Sequence, residues 1–149
     1  GEILGTVNLQ SRAYKADLVN FELRRPGETT PVKTFQMYTG SDGKYIFQHL
    51  DPGTYDITAK SANSLRAKVS DVVVTAGLET PDINFALLGG DADNNNIVNA
   101  FDNSILNGAF GSSEGSPSWD ARADFDNNKV INAFDNSILN GNFAKTGAQ

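Results

Sequence analysis

Asp91, Asp93, Asn95, Asn99 and Asp102 occupy positions 1, 3, 5, 9 and 12 of a twelve-residue stretch. Asp124, Asp126, Asn128, Asn132 and Asp135 occupy the same positions of a second one. Each side chain offers a hard oxygen. Calcium takes six to eight such ligands at about 2.3–2.6 Å, and acceptors at alternating positions of a loop can wrap around one ion. Position 7 supplies only its backbone carbonyl, so Ile97 and Val130 complete the sets although they are apolar. The spacing predicts two Ca²⁺ ions, one in residues 91–102 and one in residues 124–135.

The two stretches are copies. At an offset of 33, residues 91–110 and 124–143 share 15 of 20 positions, and the run Asn-Ala-Phe-Asp-Asn-Ser-Ile-Leu-Asn-Gly is identical at 99–108 and 132–141. A solvated Asx-rich turn would explain one such loop but not five ligand positions repeated in order. Solenoids of similar period need at least three copies to bury a core, and there are two here. Compared with the EF-hand pattern, position 6 is Asn96 or Lys129 instead of Gly, and position 12 is Asp instead of a bidentate Glu. A left-handed backbone at position 6 suits Asn but costs Lys about 1 kcal/mol. The shorter Asp requires the following helix to sit closer to the ion.

Helices must follow the loops, from Ala100 or Phe101 to Phe110 and from Ala133 or Phe134 to Phe143. At about ten residues they are marginal alone and need metal or packing to hold them. At 100° per residue, Phe101, Ile105 and Gly108 fall on one side, with Leu106 and Phe110 nearly opposite. Leu106, Phe110, Leu139 and Phe143 are then expected between the helices, which leaves Phe101, Ile105, Phe134 and Ile138 for a partner; the alternative is one core containing all eight. Val98 and Ile131 are expected to pair the two loops. The Gly/Ser-rich connector 111–118 leads to Trp119, with Ser118 as a candidate cap of a short turn.

The rest of the chain has a different chemistry. Of 149 residues, those before Gly89 carry 10 acidic and 9 basic side chains, whereas those from Gly89 onward carry 8 and 3; 12 of the 16 asparagines lie in the second part. We therefore expect segments 1–88 and 89–149 to meet at a tight junction or hinge at Gly89-Gly90. The net charge of −6 argues against a nucleic-acid partner. Without cysteine there is no disulfide scaffold or thiol nucleophile, and the single His49 leaves no histidine cluster or Ser-His-Asp triad. No run approaches the roughly 18 apolar residues of a membrane span, so no membrane insertion is expected. Residues 1–20 lack the pattern of a leader, so the chain reads as mature or as an excised fragment.

Segment 1–88 reads as about seven strands: 3–9, 18–24, 33–38, 44–48, 54–60, 68–74 and 82–87. Turns at Pro26-Gly27, Asp42-Gly43, Asp51-Pro52-Gly53 and Ala76-Gly77 separate them. Alternation in Val19-Asn20-Phe21-Glu22-Leu23 suits a small sandwich with one buried face per sheet. The stretch Thr39–Phe47, followed by Leu50-Asp51-Pro52-Gly53-Thr54-Tyr55, resembles the carboxypeptidase regulatory-like domains, whose members are usually non-catalytic spacers. A related family of adhesin repeats cross-links Lys to Asn, which makes Lys15 and Asn84 candidates for an isopeptide bond.

Two loops ending in Asp, each running directly into a helix and lying 33 residues apart, resemble the dockerin family. That resemblance implies a cohesin partner in an extracellular or cell-surface assembly, with cellulosomes as the best-known setting. It also implies that cohesin is read through loop positions 10 and 11, Ala100-Phe101 and Ala133-Phe134, and through Asn107-Gly108 and Asn140-Gly141. Ala-Phe stands where many dockerins have a hydroxyl pair, which favours a more apolar interface. Because both copies carry the same residues, two alternative orientations on one cohesin are expected.

The fold class expected from sequence is thus two domains, an all-β sandwich of about seven strands followed by a small all-α dockerin, and the expected function is non-catalytic, calcium-dependent attachment. A carbohydrate-binding sandwich with the dockerin only as attachment is the alternative reading. A hydrolase fragment is disfavoured, since no nucleophile motif or acid/base pair stands out.

Overall fold

Val19, Phe21 and Leu23 alternate with Asn20 and Glu22, and in the computed structural model, which describes all of residues 1–149, the first three are fully buried. They lie on β2 (Leu18–Arg24), the second of eight strands. The others are β1 (Glu2–Leu9), β3 (Pro31–Tyr38), β4 (Lys44–Phe47), β5 (Gly53–Lys60), β6 (Ala67–Val74), β7 (Glu79–Thr80) and β8 (Phe85–Leu87). One sheet runs β3-β2-β5-β6 and is antiparallel throughout. In the other, β1 pairs antiparallel with β4 and parallel with β7 and then β8. The facing sides enclose an aromatic cluster in which Phe21 lies 4.9 Å from Phe47 and 4.7 Å from Tyr45, centroid to centroid. Rings bury more area than any other side chains, so this cluster dominates the sandwich core.

The eighth strand, β7, lies just before the last strand expected from sequence, 82–87, which is itself shortened to β8. Asp82 turns through a φ of 62°, and the Ile83 carbonyl lies against Gly5, where a Cβ would stand 1.7 Å from its oxygen. Only glycine admits that approach. The chain therefore follows β1 in two short pieces, joined by the Ile83 amide donating to the Leu4 carbonyl at 3.1 Å.

Residues 89–149 add α1 (Ala100–Ala109), a 3₁₀ turn at Ala121–Ala123 and α2 (Ala133–Asn142). Asp120, not Ser118, caps the 3₁₀ turn. Leu106, Leu139, Val98, Ile131 and Phe125 form a second buried cluster, which Leu65 from the β5–β6 connection enters.

The expected two-domain fold class is corrected here. The chain is one β-sandwich body of eight strands carrying two short helices, with no separate all-α domain. The physical reason is a row of polar ties that leaves no free joint. The Arg12 guanidinium donates to the Phe125 carbonyl at 3.0 Å and to Asn63 at 3.0 Å, and pairs with Asp17 at 2.7 Å. The Asn142 amide donates to Gln10 at 2.7 Å and to the Gly89 carbonyl at 2.8 Å. The Arg66 amide donates to Asn96 at 2.8 Å, and Arg24 donates to the Gln149 carbonyl. The glycine pair expected to act as a hinge is pinned: Gly90 donates to the Asn63 carbonyl at 3.2 Å, and Gly89 is buried against Ile138 and Phe125.

Two other expectations are corrected. Val98 and Ile131 are buried, but they do not pair the loops with each other. Val98 exchanges hydrogen bonds with Ala144 and Lys145, while Ile131 exchanges them with Gly111 and Ser112. Each loop is thus clasped by the segment leaving the other copy's helix. Phe110 and Phe143 are about half exposed instead of buried between the helices, because each caps its helix C-terminus where the chain turns outward.

Truncating the most central ring tests the assigned core. Phe21→Ala should destabilise the chain by about 3–5 kcal/mol in denaturant unfolding; a loss below about 1 kcal/mol would mean that Phe21 is not the packing centre.

Candidate metal centre and helix face

Within each copy the carboxylates converge. One oxygen from each of Asp91, Asp93 and Asp102 lies within 4.8 Å of the other two, and the same holds for Asp124, Asp126 and Asp135. The local backbone makes this possible. Asp91 Oδ1 accepts from the Asn95 amide at 2.9 Å and Oδ2 from the Asn96 amide at 2.8 Å; Asp124 repeats this with Asn128 and Lys129, each at 3.1 Å. The turn requires left-handed backbone at position 6, where Asn96 has φ 70° and Lys129 φ 69°, and also at position 4, where Asn94 and Asn127 adopt it. Asn tolerates that region through its short polar side chain. The side-chain amides of Asn95 and Asn128 donate to Asp93 and Asp126, and their side-chain oxygens accept from the amides two residues on, those of Ile97 and Val130, at 2.9 Å.

The twelfth residue does two jobs. Asp102 accepts from the Asn99 amide at 2.7 Å, closing a capping box at the start of α1, and its other oxygen accepts from the Asp93 amide at 3.1 Å. Asp135 does the same for α2, accepting from Asn132 at 3.0 Å and from Phe125 at 2.8 Å. Asn99 and Asn132 turn their side-chain oxygens to the helix amides of Phe101 and Phe134 and act as N-caps. Loop closure and helix nucleation are therefore one event.

Crowding raises the cost of ionisation. Desolvation, reinforced by the charge of Asp135, pushes the Asp126 carboxyl up to about 6. Asp93 is raised by desolvation and by Asp102, and Asp135 is raised mainly by burial. The donor set is all hard oxygen, which fits Ca²⁺ and not a soft metal.

The helix faces divide sharply. Phe101 and Phe134 are 71% and 70% exposed, and Ala100, Ala133, Asn107, Asn140, Gly108 and Gly141 are also on the surface. Beyond the helix's own backbone no atom lies within 4 Å of where a Cβ would stand at either glycine, so both leave room for an approaching backbone. Ile105 is half-buried, whereas its counterpart Ile138 is 6% exposed because α2 lies against Gly89. The two surfaces are alike at their centres and differ at this flank.

Other candidates make different contacts. Lys15 donates to Asn8, and Asn84 accepts from Thr6 at 2.9 Å, so each has its own partner. His49 is exposed at a turn. Sequence reasoning missed Gln10, Arg12, Lys60 and Asn142. Asn142 carried a signal, since it is a position where the otherwise matching helices differ, replacing Ala109.

No family model matches the chain, and no curated protein is similar to it in sequence. Solved structures do match. Two are interface mutants, one C-terminal and one N-terminal, of a type II cohesin–X–dockerin complex from Acetivibrio cellulolyticus. A chain of each superposes with a TM-score of 0.76 at 21% identity, covering 98% of this chain and 97% of that one. The fold is one found in cohesin–dockerin assemblies. The match spans sandwich and helices together, in keeping with one continuous body.

Crowded carboxylates give a sign to the pH response of the metal-free protein. With its folded value near 6 and an ordinary value of 3.8, Asp126 contributes stability below about pH 4 that is lost as pH rises through 6. Asp126→Asn should remove that segment of the melting profile, and the Asp126 carboxyl resonance should titrate near 6 in chelator. A midpoint near 4 would contradict the cluster.

Proposed function

We propose that this chain is a non-catalytic docking module that holds two Ca²⁺ ions in loops 91–102 and 124–135 and binds a cohesin through the exposed face of its helices, attaching its parent protein to an extracellular or cell-surface assembly. The observation that carries this reading is the duplicated carboxylate cluster, each copy continuous with a helix that displays an unpaired phenylalanine. The shared fold with chains of cohesin–X–dockerin complexes supports it. In this reading Asp91, Asp93, Asn95 and Asp102, with the carbonyl of Ile97, surround one ion. Asp124, Asp126, Asn128 and Asp135, with that of Val130, surround the other, and Asn99 and Asn132 act from the helix caps. The ions neutralise each cluster and hold the caps that start the helices.

Phe101 and Phe134 serve as apolar anchors, flanked by Asn107-Gly108 and Asn140-Gly141. Aromatic anchors that become desolvated dominate interface energies. The repeated face lets either helix lead, giving two orientations on one cohesin.

Calorimetric titration with a type II cohesin checks this. Binding should require calcium and vanish in chelator. Phe101→Ala and Phe134→Ala together should weaken it by about 100-fold, in line with hot-spot truncations, and each alone should cost clearly less. Calcium-independent binding, or binding to a dockerin instead of a cohesin, would overturn the assignment. A single change as damaging as the pair would exclude two orientations.

Lower pH should weaken calcium, since Asp126 must lose a proton that it holds below about 6. Calcium affinity at pH 5 should fall below that at pH 7.5 by fluorescence or calorimetric titration; equal affinities would contradict the raised carboxyl.

A further inference from the structure

Lys60 ends β5 in the sandwich, yet its ammonium lies in the first loop. It is 92% buried and donates to Asp91 Oδ2 at 2.8 Å, Asn94 Oδ1 at 2.6 Å and the carbonyls of Ser64 and Ser61 at 2.6 and 3.3 Å. Asp91 is itself fully buried. Its Oδ1 accepts from the Asn95 amide and its Oδ2 from the Asn96 amide, so Lys60 adds a second, charged donor on Oδ2.

The second loop has no such cation. Asp124 Oδ2 accepts from the Lys129 amide, while the Lys129 ammonium reaches out to Asn127 and Glu114. Arg12 hydrogen-bonds to this loop at the Phe125 carbonyl and not at a carboxylate, and its charge is matched by Asp17; Arg122 is forked onto Asp120. Two nearly identical loops therefore lie in unequal fields.

Resting on the calcium reading above, we infer that Lys60 is a positioning residue that makes the two calcium sites unequal, holding the first loop closed without metal and weakening its hold on the ion. A buried carboxylate needs a counter-charge. Lys60 supplies one to Asp91 in the metal-free state, and the same ammonium repels an arriving dication. Because it stabilises the metal-free loop more than the loaded one, linkage requires that it lower calcium affinity there. The first loop is thus a pre-neutralised, weaker site, and the second, which has the same turn without that buried cation, is the stronger one.

Site-resolved calcium titration of the full chain by NMR, following the amides of Asn96 and Lys129, tests this. The second loop should fill first, at least ~10-fold more tightly, as expected for one partly screened charge near a dication. Lys60→Met, which keeps the stem, should tighten the first site until the gap closes to within about 3-fold, and should lower the metal-free melting temperature more than the calcium-loaded one. If the variant does not fold without metal, chelator competition from the loaded state reads the same affinities. An unchanged ratio in the variant, or a first loop that fills first in the unaltered chain, would overturn the role of Lys60 and leave the calcium reading intact. Failure of both loops to bind calcium would remove both.

Discussion

Three carboxylate oxygens within 4.8 Å of one another cannot all stay ionised at low cost without a cation among them. Much of the C-terminal half depends on that constraint. The backbone winds through left-handed positions at 94, 96, 127 and 129 to bring the acids together, and the last acid of each group also starts a helix. Whatever neutralises the group therefore also fixes where the phenylalanine just before its last acid stands on the surface. Charge balance and surface shape are linked through one residue in each copy, Asp102 and Asp135.

The sandwich supplies what the short helices lack. Ten-residue helices gain little from their own hydrogen bonds, and their apolar cluster is completed by Leu65 and flanked by Leu88. Arg12, Gln10 and Lys60 reach across as buried or half-buried polar ties. Such ties fix geometry more than they add stability, because each desolvated charge must be repaid by its partners. The outcome is a rigid platform, and a partner that meets the helices meets a surface whose orientation to the sandwich is set.

Period-two patterns made the strands legible, since burial on one face of a sheet leaves a direct trace in residues such as Val19, Phe21 and Leu23. The repeated Asp and Asn positions likewise marked the loops, and the Asn-Ala-Phe-Asp run marked the helix starts. Long-range polar contacts left no such trace. Lys60 looks like any strand-end lysine, and nothing local links it to Asp91, 31 residues away. The shortening of the last strand depended on how closely Ile83 approaches Gly5, and the outward turn of Phe110 and Phe143 on the path taken after each helix. The change in composition at Gly89 marked a change of chemistry; it did not reveal the ties that make the chain one body.

The crossed clasps obey the offset of the repeat. Gly111 and Ser112 hold Ile131, while Ala144 and Lys145 hold Val98; the lone bridges Ser113 to Val130 and Ile97 to Thr146 follow suit. Adding 33 to one partner of each contact and subtracting 33 from the other generates its counterpart, and that exchange of the two copies is the signature of a two-fold axis. One loop and helix alone has nothing to close it, since its clasp belongs to its twin. The repeat is in effect a symmetric dimer fused on a single chain, and a half-length version would be complete only by finding a second copy of itself.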